Sequence, residues 1–79
     1  MALSASDRRA KLVELAAIEG YGDPDELIAA IVHDSVSPGI CSRVGCSYTT
    51  EVEPDQHRGW CEACGTATVD SALVLAELI

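Results

Sequence analysis

Apolar positions recur at helical spacing in the first third of the chain and at strand spacing in the middle. Leu12, Leu15, Ala16 and Ile18 make one face of a helix that a cap at Ser4 or Ser6 would start. It runs to about Glu19, and Gly20 is a suitable residue just past its end. A second start stands at Asp23-Pro24-Asp25-Glu26, with a capping carboxylate, proline at the first helical position and Glu three residues after the cap. Leu27, Ile28, Ile31 and Val32 then share a face. The link Gly20-Tyr21-Gly22 is short, so the spacing predicts an antiparallel helix pair.

Ser37-Pro38-Gly39 breaks the helical pattern. From Tyr48 to Glu53 the chain alternates: Tyr48, Thr50 and Val52 point one way, and Ser47, Thr49, Glu51 and Glu53 the other. That is a half-buried strand. Pro54-Asp55-Gln56 predicts a turn, Arg58-Gly59-Trp60 a short return strand. After Gly65, a cap at Thr66 or Thr68 would open a last helix to Ile79, with Val69, Ala72, Leu73 and Ala76 on one face. Residues 1–36 therefore form a helical hairpin and residues 37–79 a finger, joined as one compact unit.

The four cysteines change this picture most. They fall as two close pairs, Cys41 with Cys46 and Cys61 with Cys64. Two short-spaced pairs can bring four thiolates to one point, which suits a tetrahedral zinc ion. In a chain of 79 residues, a core alone supplies about 3–5 kcal/mol. A structural zinc contributes about 10–16 kcal/mol of apparent binding energy, which is also folding energy. The expected ligands are Cys41, Cys46, Cys61 and Cys64, around one Zn2+. His57, four residues before Cys61, is the competing ligand, although a histidine between Gln56 and Arg58 on a charged turn is usually solvated. His33 falls on the polar side of a helix. Iron also suits four thiolates.

The order of cysteine pair, β-hairpin, cysteine pair and helix predicts a small α+β metal-stabilised domain of treble-clef type. There the N-terminus of the last helix would favour thiolates at the second pair. Gly45 would supply the positive φ that the longer first knuckle needs. A zinc ribbon, with Thr66–Val69 as a third strand, is the alternative. Trp60-Cys61-Glu62-Ala63-Cys64-Gly65 resembles the second half-site of GATA-type zinc fingers, which implies local geometry and not their DNA binding. A longer block resembles a group of small uncharacterised bacterial and phage proteins. It runs from Asp34 through Pro38-Gly39-Ile40-Cys41, Cys46 to Gln56 and Gly59-Trp60-Cys61 to Ser71 through Ala76. That resemblance implies a cysteine-bound metal and no activity.

Charge narrows the partners. Thirteen Asp and Glu stand against five Lys and Arg, a net charge of −8. Such a surface repels phosphate backbones and anionic lipid heads. A helix-turn-helix needs basic and amide side chains on its recognition helix, whereas the second helix offers Asp25, Glu26, His33 and Asp34. Lys11, Arg8 and Arg9 lie far along the chain from the finger. That leaves Arg43, Arg58, Trp60 and Tyr48 for a nucleic-acid contact, with Trp60 expected to pack against the last helix. No secretory leader or membrane span is legible, so a reducing cytoplasm is expected, where thiols bind metal in preference to disulfides. Four thiolates close the coordination shell, and no catalytic arrangement of serine, histidine and acid can be argued, so an enzyme is not expected. The expected role is a protein-interaction or regulatory module, and the alternative is a nucleic-acid-binding zinc finger.

Overall fold

Capping chemistry sets the first two elements of the structure, a computed structural model that describes residues 4–78. Helix α1 is Ala5–Ile18, and the Ser4 hydroxyl accepts the Asp7 N–H at its start. At its end, Tyr21 N–H reaches the Ala16 carbonyl and Gly20 N–H the Ala17 carbonyl, with Gly20 at φ 88°. This Schellman closure needs the left-handed residue that glycine supplies. Helix α2 is Pro24–Ile31. The Asp23 carboxylate accepts the Glu26 N–H, and the Glu26 carboxylate reaches back to the Gly22 N–H, each at 2.9 Å. Val32 is the C-cap and is exposed, so it leaves the apolar face that Leu27 and Ile31 bury.

The C-terminal half is a four-stranded antiparallel sheet: β1 Ser37–Cys41, β2 Thr49–Val52, β3 Gly59–Cys61 and β4 Thr66–Ser71. The strand order is β2-β1-β4-β3. This corrects three sequence expectations. The segment after Ser35 is not only a breaker: Ser37-Pro38-Gly39 belongs to a central strand. Pro38 is tolerated because β1 pairs with β2 there, while its pairing with β4 begins only at Gly39. The second correction concerns β2 and β3, which are not a hairpin but the two opposite edges of the sheet. The third is that Thr66–Ser71 is a strand, so no long helix leaves the second cysteine pair. Its β-branched residues Thr66, Thr68 and Val69 favour a pleated surface, and its register seats Val69 between Cys41 and Gly59. The final helix, α3, is only Ala72–Leu75, capped by Ser71 and not by Thr66 or Thr68. Ile79, the expected end of that helix, lies outside the described residues.

Two packed clusters divide the two faces of the sheet. Ile40 points to the helices and joins Leu12, Leu15, Ala16, Leu27, Ile31, Ala72, Leu73 and Leu75 in one core. Both halves of the chain thus contribute to the same buried cluster. On the other face Cys41, Cys61 and Val69 are buried, with Cys46, Tyr48, Val52 and Cys64 packed around them. Gly39 lies under this second cluster. A Cβ there would stand 2.9 Å from Val52 Cγ2 and 3.0 Å from Val69 Cγ1, so the close approach requires glycine. Two buried serines stitch α3 to the sheet. Ser37 Oγ accepts the Ala72 N–H, and Ser71 Oγ accepts the Val74 N–H while donating to the Pro54 carbonyl.

Candidate metal centre

Each cysteine pair sits in the turn of its own hairpin. β1 and β2 flank the first, and β3 and β4 the second. Tight turns bring the paired thiols round. Cys46 N–H donates to the Arg43 carbonyl, and Gly45 adopts φ 87° just before Cys46, as the longer knuckle requires. In the second turn Gly65, at φ 67°, donates to the Cys61 carbonyl. Cys64 N–H points at Cys61 Sγ from 3.3 Å, so the tight second turn aims a backbone donor at the first sulfur of its pair. No helix N-terminus stands beside this pair, in contrast to the treble-clef expectation, because Thr66 enters a strand.

The β1–β4–β3 pairing brings the two turns face to face, and the four Sγ atoms lie within 4.8 Å of one another. Cys41 Sγ is 3.9 Å from Cys64 Sγ, and Cys46 Sγ is 3.8 Å from Cys61 Sγ. A tetrahedron with metal–sulfur bonds of about 2.3 Å has edges of about 3.8 Å. The close contacts thus match ligands around one ion. They are far longer than a disulfide bond of about 2.05 Å, and all four cysteines are free. Cys41 and Cys61 are buried, and Cys46 and Cys64 are half-buried.

The thiols are electrostatically unequal. Burial pushes Cys41 up. Hydrogen bonds from the Thr68 hydroxyl, the backbone at Arg43 and the neighbouring thiols outweigh it and bring Cys41 from 9.0 to about 7. Thr68 Oγ1 lies 3.1 Å from Cys41 Sγ and 3.1 Å from Thr66 Oγ1. Cys64 moves the other way, to about 12, chiefly because its thiol is hydrogen-bonded to Cys46. A metal ion bound by these sulfurs would displace the proton retained at Cys64.

His57 is not a member of the cluster. It is exposed, with Nδ1 3.2 Å from the Asp70 carboxylate, and His33 is exposed on the surface. Two expectations about basic and aromatic residues are corrected. Lys11 is not remote from the finger: it is buried, and its Nζ donates to the Cys46 carbonyl at 2.6 Å. Trp60 does not pack against the last helix but is 58% exposed, in a groove that it lines together with Val36 and Val52. Neither Arg43 nor Arg58 lines that groove, and Arg58 is anchored by its N–H on the Asp70 carboxylate. Sequence reasoning missed Thr68 and Lys11. The one available signal was a lysine within an apolar helical stripe, Lys11 beside Leu12.

Compared with family models, curated proteins and solved structures, the chain matches none. Among the described residues no helix is long and apolar enough to cross a membrane.

Proposed function

We propose that Cys41, Cys46, Cys61 and Cys64 hold one structural zinc ion, and that the domain organised by this ion is a protein-interaction or regulatory module. The observation that carries the metal is the sulfur spacing, 3.8 and 3.9 Å in the close contacts, which suits a tetrahedral zinc–thiolate shell. Two opposed hairpin knuckles, each with a left-handed glycine, support a zinc-ribbon arrangement over a treble clef. Four thiolates leave no open coordination position, which supports a structural and not a catalytic ion. A reducing compartment such as the cytoplasm suits four free thiols.

The interaction role is supported by what remains outside the core. The net charge is −8, and Trp60, Val36 and Val44 are exposed apolar side chains on the sheet half. Carboxylates without a basic stripe disfavour phosphate backbones. Native mass spectrometry of the purified protein is expected to show a single added zinc. Cys→Ser at any of the four positions abolishes it, and His57→Ala retains it. Retention of zinc by Cys41→Ser together with its loss in His57→Ala overturns the ligand set. Titration with labelled duplex and single-stranded DNA and RNA tests the role. Micromolar binding that survives moderate salt replaces the interaction module with a nucleic-acid-binding finger.

A further inference from the structure

Strand β2 is an edge of the sheet, so one row of its backbone N–H and C=O groups lies outside the ladder. A groove runs along each of its faces. On the helix side is a groove of about 370 Å³ that carries the carboxylates of Glu19, Asp34 and Glu51, with Tyr21 at its wall. On the other side is a shallower groove of about 490 Å³, where Val36, Val52 and Trp60 of β3 supply apolar surface beside the carboxylates of Glu51 and Glu53. Val36, Thr50 and Glu51 line both, and no Lys or Arg lines either. Both sides of the edge thus carry carboxylates, and the aromatic and apolar surface of Trp60 and Val52 lies on the second side alone.

We infer that the free edge of β2 docks an extended segment of a partner protein in which basic residues alternate with apolar ones. Rise and alternation along a strand place successive side chains on opposite faces. An added strand would hydrogen-bond to the β2 backbone and send one set of side chains to each groove. Lysine or arginine side chains would meet Glu19, Asp34 and Glu51, and the apolar set would cover Val52 and Trp60. A second copy of this chain is a poor occupant, because its β2 would bring Glu51 and Glu53 against the same carboxylates. Nucleic acid is a poor occupant for the same electrostatic reason.

This inference rests on the interaction-module reading, and the test separates the two. The probe is the acetylated, amidated hexapeptide Lys-Val-Lys-Val-Lys-Val, titrated into the isotope-labelled, zinc-loaded protein. The expected result is a saturable shift of the amides of Thr49–Val52 and of the Trp60 indole. A peptide of the same composition in blocks, three Lys followed by three Val, is expected to bind about tenfold more weakly. Glu51→Lys and Trp60→Ala, both at exposed positions, are each expected to weaken the alternating peptide by roughly tenfold with zinc retained. Equal binding of the two peptides, indifference to both variants, shifts that map elsewhere, or no binding up to about millimolar peptide overturns the docking edge. Affinity capture from the native host with wild type and Glu51→Lys then distinguishes the failures. A partner held equally by both leaves the interaction module standing and removes the edge. No protein partner for the wild type, or a captured nucleic acid, removes the module itself.

Discussion

Lys11 Nζ donates a hydrogen bond of 2.6 Å to the backbone carbonyl of Cys46, 35 residues away in the chain. The lysine is 6% exposed, and Glu14 on the next turn of α1 stands 3.5 Å from its Nζ. Glu14 also accepts a hydrogen bond from the Ser47 hydroxyl. Helix α1 is therefore fixed to the first knuckle at two successive residues, Cys46 and Ser47. With zinc held by four thiolates, as proposed, the site would carry net negative charge, which the lysine would also compensate. Replacing Lys11 by Met keeps its length and loses the donor. The unsatisfied carbonyl is expected to cost about 1–3 kcal/mol. Denaturant unfolding of the zinc-loaded variant measures this, and zinc should dissociate faster to a chelator while its stoichiometry stays at one. Unchanged stability and release would remove the latch.

Thr68 is expected to favour the thiolate at Cys41 in the folded knuckle. Its hydroxyl lies 3.1 Å from the sulfur and favours the thiolate. Thr68→Val keeps the β-branched shape and removes the donor. Zinc affinity at neutral pH should fall by roughly tenfold to a hundredfold, the range for groups that orient and tune metal ligands. Zinc affinity identical to that of the parent protein would assign the lowered value at Cys41 to another contact.

Zinc binding should weaken as the solution is acidified, and the sign follows from both shifts. Cys41 ionises at about 7 in the metal-free fold, and Cys64 keeps its proton up to about 12. Coordination takes both as thiolates, so binding releases the Cys64 proton and part of a proton at Cys41 near neutrality. Below about 7 the Cys41 proton is released in full, and the apparent affinity drops more steeply with each step in pH. Without metal, Cys41 alone contributes stability that is present above 9.0 and lost as the pH falls through about 7. Competition with a chelator of known pH dependence, repeated from mild acid to mild alkali, measures the slope. A flat profile contradicts the thiolate ligand set.

Removing the metal should disorganise more than the two knuckles. Binding of about 10–16 kcal/mol exceeds what the core of so short a chain supplies, and Ile40, one residue before Cys41, lies in the same core as Leu12 and Leu27. A strong chelator is expected to collapse the amide dispersion of residues 37–78 and to broaden the methyl signals of Ile40, Leu73 and Leu75. The caps of α1 and α2 are local and should preserve residual helicity in circular dichroism. An apo spectrum with full native dispersion would show that the core suffices.

Gly39→Ala isolates the closeness of the sheet around its centre. The added methyl meets Val52 Cγ2, Val69 Cγ1 and, at 3.1 Å, the backbone oxygen of Asp70. The valines can give slightly, but the backbone oxygen in the β1–β4 ladder cannot do so without loss of pairing. A destabilisation of about 1–3 kcal/mol is expected, measured by denaturant unfolding with zinc held in excess. A neutral result would mean that β4 moves freely at Asp70.

The residues whose structure depends on near neighbours were legible in the sequence. Asp23, Pro24 and Glu26 start α2, and Gly20 closes α1, because caps are built from groups within a few positions of each other. The alternation from Tyr48 to Val52 and the positive φ at Gly45 follow equally local rules. The two close cysteine pairs made a four-sulfur cluster readable before any coordinates. Partner choice between strands was not readable. Whether β3 joins β2 or β4 depends on where Val69 is buried and on the contact of Gly39 with Val52 and Val69, which arise only when distant segments meet. The segment from Thr66 satisfied a helix cap and a strand propensity at once, and pairing with both β1 and β3 decided for the strand. Lys11 at Cys46 and Thr68 at Cys41 were hidden for the same reason: a hydrogen bond across 35 or 27 residues leaves no trace in spacing. Local composition thus determined the first two helices with their caps and the cysteine cluster, while burial and long-range pairing decided the sheet order, the short last helix and the groups around the cluster.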